Sequence, residues 1–196
     1  MEKDRLFIAI PIEPEQRSIL LTEMEAIQSL HSFRKWVHPE DLHITLSFLG
    51  DTDPDTAEKV KDTLSAITEP VPSFRLELGE LGTFGKPSSP NILWVGVSGD
   101  MEPLRQLQAQ IEHAMEPLGF MPENRPYRPH ITIAKKNTGD EDFSKALLPT
   151  PERSEERSSS SWIVRRIVLF RTHMHQQPMY EILGTFPLDG QQMDNV

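Results

Sequence analysis

The chain has 196 residues, 37% of them apolar and 26% charged, with a formal net charge of −10 and no cysteine. Length and composition fit a folded domain with a substantial core, and the absence of cysteine excludes disulfides, thiolate nucleophiles and Cys-ligated zinc. The acidic balance argues against a broad nonspecific nucleic-acid surface, which needs a basic stripe, but leaves room for a pocket that grips a single phosphate.

The start, MEKDRLFIAIPIEPEQ, lacks a signal-peptide pattern, and no apolar run approaches the ~20 residues of a membrane span; a cytoplasmic protein without a membrane partner is expected. The run LFIAI at 6–10 reads as a buried strand. A helix is expected over 14–30, with Pro14 in its first turn and Leu20, Met24 and Ile27 at helical spacing. Residues 36–41 read as a connector, and HITLSFLG at 43–50 as the second strand, stopped by Gly50 and Asp51. Asp53-Pro54 is a helix start, followed by the stripe Ala57, Val60, Leu64 and Ile67. FRLEL at 74–78 alternates as a strand, and the turn-rich GTFGKPSSPN at 82–91 is the expected boundary between two lobes.

The order then repeats. ILWVGV at 92–97 is a strand. Asp100 is expected to cap a helix carrying Leu104, Leu107, Ile111, Ala114 and Leu118, with Gly119 near its end. HITIAKK at 130–136 is the next strand, and Asp140 opens an expected short helix with Phe143, Ala146 and Leu147. A polar, Ser-rich loop at 151–161, closing strands at 162–170 and 179–186, and a tail at 191–196 complete the chain.

His-aliphatic-Thr-aliphatic therefore occurs twice, both times as His-Ile-Thr, at positions 43 and 130, and composition alone predicts such a tetrad roughly 0.02 times. The offset of 87 also carries Phe7 to Trp94, Leu20 to Leu107, Met24 to Ile111, Ile27 to Ala114 and Asp53 to Asp140. One shift that aligns strand, helix, motif and cap indicates a duplicated β–α–β–α–β unit, so that 1–196 is one bilobal domain with repeats at about 5–81 and 91–188.

Alternation on a strand puts His43, Thr45 and Ser47 on one face and Ile44, Leu46 and Phe48 on the other; His130 and Thr132 lie opposite Ile131 and Ile133. Pseudo-two-fold symmetry brings the polar faces together as two imidazoles and two hydroxyls around one point. Such a set suits in-line displacement at phosphorus: one imidazole activates water and the other protonates the leaving oxygen, while the threonines hold the nonbridging oxygens. No metal or cofactor is needed, and the residues alone do not say which histidine is the acid. Arg128, two residues before His130, is a candidate phosphate contact. Trp36 is evenly balanced between stacking on a base and packing, and Trp94 is expected in the core. His173 and His175 lack a third ligand, and His31, His38 and His113 read as surface or boundary residues.

The motif pair resembles the 2H phosphoesterase superfamily. RLFIAI at 5–10, Trp36-Val37, HITLSFLG, NILWVGV at 91–97, Tyr127-Arg-Pro-His130 and Tyr180 are similar to the bacterial RNA 2′,3′-cyclic phosphodiesterases of the ThpR or LigT-like group. The resemblance implies an α+β bilobal fold, with two pseudo-symmetric lobes whose antiparallel sheets flank a central cleft and whose helices lie outside. It implies metal-independent hydrolysis of RNA 2′,3′-cyclic phosphate ends to 2′-phosphomonoesters, with 2′–5′ RNA ligation as the reverse chemistry; separately, a monomer is expected. By the same analogy His43 is the proton donor, His130 the proton acceptor, Thr45 and Thr132 hold phosphate oxygens, and Lys135 contacts substrate where relatives often carry Arg. Thr172 stands where a serine is common. Two alternatives remain: a 2H enzyme acting on small cyclic nucleotides or ADP-ribose cyclic phosphate, and a noncatalytic nucleotide-end binder.

Overall fold

In the computed structural model, which describes residues 3–139, 142–144 and 160–190, the apolar run at 6–10 lies inside β1 (Asp4–Pro11). Then follow α1 (Pro14–Gln28), β2 (Phe33–Trp36), a 3-10 turn at Pro39–Asp41, β3 (His43–Thr52) and α2 (Pro54–Thr68). The second series is β4 (Phe74–Lys86), β5 (Ser89–Gly99), α3 (Met101–Met115), β6 (His130–Asn137), β7 (Ser161–Val164), β8 (Arg166–Thr172) and β9 (Tyr180–Pro187). No helix among the described residues is long and apolar enough to cross a membrane.

The helices follow their stripes. α1 buries Gln16, Leu20, Met24 and Ile27. α2 begins where the Asp53 carboxylate accepts the Thr56 backbone N–H at 3.0 Å, and it buries Ala57, Val60, Leu64 and Thr68. Asp100, expected to cap α3, does not: its carboxylate accepts the Arg75 backbone N–H at 2.8 Å and ties the helix to β4. α3 buries Leu104, Leu107, Gln108, Ile111 and Met115 and ends in a 3-10 turn closed by Gly119 at φ 96, a left-handed position suited to glycine.

The strands pair antiparallel in the order β7-β4-β5-β6-β3-β1-β8-β9, with β2 added on β6. Among the described residues, the two halves of the sheet are joined where Ile44 of β3 pairs with Ile131 of β6. Each half takes a strand from the other repeat: β4, from the first, pairs with β5, and β8, from the second, pairs with β1. The strand exchange welds the repeats together, because neither half sheet is complete without the other's segment.

Three expectations change. The stretch 82–91 is the end of a long β4–β5 hairpin, with only Pro87 and Ser88 between the strands. The connector at 36–41 is preceded by β2, a strand that composition hides behind Arg34 and Lys35. The segment 162–170 is two strands broken at Arg165. Asp140, Ala146, Leu147, most of the Ser-rich loop and the tail lie outside the described residues; Phe143 is buried, non-helical, and donates its N–H to Ser88 at 2.9 Å.

The main core collects Leu6, Ile8, Ile10, Ile44, Leu46, Ile131 and Ile133 from the sheet together with the buried stripes of the helices. Each fully buried Leu or Ile contributes roughly 1.5–3 kcal/mol. A second, small cluster of Phe7, Ala9, Val168 and Phe170 forms on the other face of β1 and β8. Those strands are buried on both faces, which is why β1 reads as a continuous apolar run.

Candidate active site

The single Ile44–Ile131 pairing sets the site. Extending its antiparallel register places His43 across from Thr132 and Thr45 across from His130, all four on the face opposite the two isoleucines. The two histidines and two threonines singled out from sequence are thus brought together where β3 and β6 begin to part.

His43 is held tightly. Its Nδ1 lies 2.6 Å from the Asp41 carbonyl oxygen, and its Nε2 lies 3.1 Å from Thr45 Oγ1. With Nδ1–H donating to the carbonyl, Nε2 accepts the threonine hydroxyl. Around the ring stand Phe7 at 4.9 Å, Tyr180 at 5.3 Å and Phe170 at 5.9 Å, centroid to centroid. Burial in this aromatic box pushes the imidazole down to about 4; the Asp41 carbonyl opposes the shift, and the positive charges of Lys135 and His130 add to it. At neutral pH His43 is a neutral ring.

Asp41, two residues before the motif, is the residue sequence reading missed. It is only 3% exposed, and its carboxylate accepts backbone N–H groups from Met179 at 2.9 Å and Tyr180 at 3.1 Å. One residue therefore fixes His43 through its carbonyl and the start of β9, with Tyr180, through its side chain.

His130 repeats the backbone device: its Nδ1 is 2.7 Å from the Arg128 carbonyl oxygen. Its neighbours differ. Phe84 stands edge-on at 5.0 Å and Trp94 at 6.1 Å. Trp94, expected in the core from sequence, is instead half-buried in this wall; its indole lies over Gly82, where a Cβ would stand 2.2 Å from the ring.

Two bulges re-aim β3. Its register against β1 skips Leu46 and Leu49, so that Phe48 pairs with Phe7 on the cleft face, with ring centroids 6.0 Å apart. Phe48 was expected on the packing face; the inserted residue turns it over. At the first bulge the Leu46 carbonyl accepts from the buried Gln108 amide of α3 at 3.4 Å. Tyr127 donates its hydroxyl to the Thr45 carbonyl at 3.0 Å, and burial pushes that phenol up, keeping it a donor.

The remaining candidates separate. Lys135 is half-buried beside His43 and pairs in register with Lys35; burial, and then the Lys35 charge, pushes its ammonium below the ordinary lysine value. The Arg128 side chain is exposed and lines a cavity of about 610 Å³ that opens from Thr45 and His130. Trp36 points the other way on β2 and packs edge-on against Phe33 at 5.5 Å, so it does not join the histidines.

The 2′-5′ RNA ligase superfamily matches residues 14–176. A Bacillus subtilis protein named RNA 2′,3′-cyclic phosphodiesterase is 34% identical over 93% of this chain and 95% of its own length. One of the same name from Geobacillus stearothermophilus is 38% identical over 97% of this chain, which spans 59% of that relative's length. Among solved structures, E. coli LigT in complex with 3′-AMP has the same fold, with a TM-score of 0.73 at 23% identity over 95% of this chain and 99% of that one. With the motif pair converged on one cleft and the match running from α1 to beyond β8, the chain belongs to the 2′-5′ RNA ligase superfamily.

Proposed function

We propose that the chain hydrolyses RNA 2′,3′-cyclic phosphate ends to 2′-phosphomonoesters, with His43 and His130 as an acid–base pair. The observation that carries this is the convergence of both His-x-Thr copies on the Ile44–Ile131 pairing. The names of the B. subtilis and G. stearothermophilus relatives support the same substrate class.

In this reading His130 takes a proton from water as its oxygen bonds to phosphorus, the bond from phosphorus to the 3′ oxygen breaks, and His43 delivers a proton to that oxygen. Thr45 and Thr132 donate to the nonbridging oxygens, and Lys135 and Arg128 offset their charge. Because His43 rests neutral, it becomes a donor only when the anionic phosphate enters and raises its affinity for a proton. Its hydrogen bond from Thr45 is then released, freeing that hydroxyl for the phosphate. Replacing water by a ribose 5′-hydroxyl runs the chemistry as 2′–5′ ligation. The enzyme so read is a cytoplasmic monomer.

The test presents a 2′,3′-cyclic-phosphate oligonucleotide and 2′,3′-cyclic mononucleotides, with EDTA present, and separates 2′- from 3′-phosphate products. Turnover to the 2′-phosphate is expected. Dependence on a metal sinks the two-histidine scheme, and a 3′-phosphate product reverses the leaving group. Turnover of mononucleotides alone moves the substrate to small cyclic nucleotides, which the net charge of −10 also suits.

A further inference from the structure

We propose that the cavity opening from Thr45 and His130 is a nucleobase subsite that favours bases carrying an exocyclic amino group; this deepens, and rests on, the phosphodiesterase reading. The cavity encloses about 610 Å³, within the ~300–1,000 Å³ of small-molecule sites. It begins at the groups assigned to the phosphate, so a nucleoside joined to that phosphate enters it directly.

Its lining combines aromatic rings with carboxylates. Phe48 and Phe84 line it. Phe48 is 63% exposed, brought out by the β3 bulge, and packing in the core does not account for it. An exposed ring beside a phosphate site is a platform for a base. Glu112, on α3, and Glu123, on the segment after it, also line it; Glu112 Oε1 accepts the Glu123 backbone N–H at 3.4 Å. Carboxylates accept hydrogen bonds and do not donate them. Cytosine, adenine and guanine offer amino N–H groups to such carboxylates, whereas uracil presents carbonyl oxygens and a single ring N–H. Arg125, also on the wall, is placed to meet a base carbonyl.

The experiment measures equilibrium binding of 2′-CMP and 2′-UMP to the full chain by calorimetry, so that no turnover is needed. The wild type is expected to bind 2′-CMP about tenfold more tightly than 2′-UMP. The double variant Glu112→Gln with Glu123→Gln brings that ratio close to one; glutamine keeps an oxygen for the Glu123 N–H, and Glu123→Gln alone, at an exposed position, moves the ratio the same way. Phe48→Ala weakens both nucleotides about tenfold and leaves the ratio unchanged. Equal wild-type affinities, a ratio retained in the double variant, or no effect of Phe48→Ala each overturn the subsite. Wild-type turnover of the cyclic phosphate is measured alongside: its absence overturns the phosphodiesterase reading, while the affinity ratio still decides the subsite.

Discussion

The two copies of the motif share a backbone device and differ in everything around it. In both, histidine Nδ1 meets the carbonyl two residues upstream, of Asp41 for His43 and of Arg128 for His130. His43 then sits among Phe7, Tyr180 and Phe170, behind a buried carboxylate that pins β9. His130 faces Phe84, Trp94 and an open cavity. The two motif copies thus supply like imidazoles, and the strands around them make them unequal. Unequal settings are what an acid–base pair needs, since one ring must hold a proton while the other seeks one.

The largest test of that inequality is catalytic. His43→Ala and His130→Ala are each expected to lower kcat/KM on a 2′,3′-cyclic substrate by ~10²–10⁴-fold. Full activity in either variant breaks the paired model. Next comes the anchor. Asp41→Ala leaves two partly buried backbone N–H groups without their acceptor and is expected to cost roughly 1–3 kcal/mol in urea denaturation. Arg128→Ala, at the matching place before His130, removes an exposed side chain while keeping the carbonyl, and should stay within about 0.5 kcal/mol. Similar losses in both would show that the asymmetry is not built on Asp41.

Much of this was legible in the sequence because strand alternation is strict. His and Thr two apart must share a face, and the offset of 87 pairs the copies. What failed was whatever depends on a distant partner. Phe48 follows the wrong parity because β3 takes an extra residue at the bulge before it, at Leu46, and only the register with β1 reveals this. The hairpin at 82–91 is rich in Gly, Pro and Ser, yet long-range pairing of β4 with β5 overrides that local preference. The strand exchange is invisible for the same reason: an internal repeat shows which segments are alike, not which of them pair. Asp41 was passed over because a lone acid in a connector reads as solvated until β9 arrives to donate to it.

The pH dependence of stability sharpens the comparison further. His43 is pushed from the ordinary 6.5 down to about 4, so between those values the unfolded chain binds a proton that the folded chain refuses. Stability is therefore full above about pH 6.5 and falls as the pH drops toward 4, by on the order of 2 kcal/mol from this ring. Denaturant titrations at several pH values should show that slope in the wild type and lose it in His43→Gln. A slope that survives places its origin elsewhere.

The smallest expected effect compares the starts of two helices. Asp53 accepts from both the backbone N–H and the hydroxyl of Thr56, at 3.0 and 2.8 Å, and these bonds hold its carboxyl below the usual range. Asp100 caps nothing in α3 and bonds to Arg75 across to β4. Asp53→Ala is expected to lower Tm by about 2–4 °C, the size of a lost cap in a chain of this length, and that loss should vanish below the carboxyl's lowered titration range. Asp100→Ala should shift Tm less, because the Arg75 N–H it releases is at an exposed strand position where water replaces the acceptor. If the two variants behave alike, the α3 start draws on Asp100 in a way its hydrogen bonds do not show.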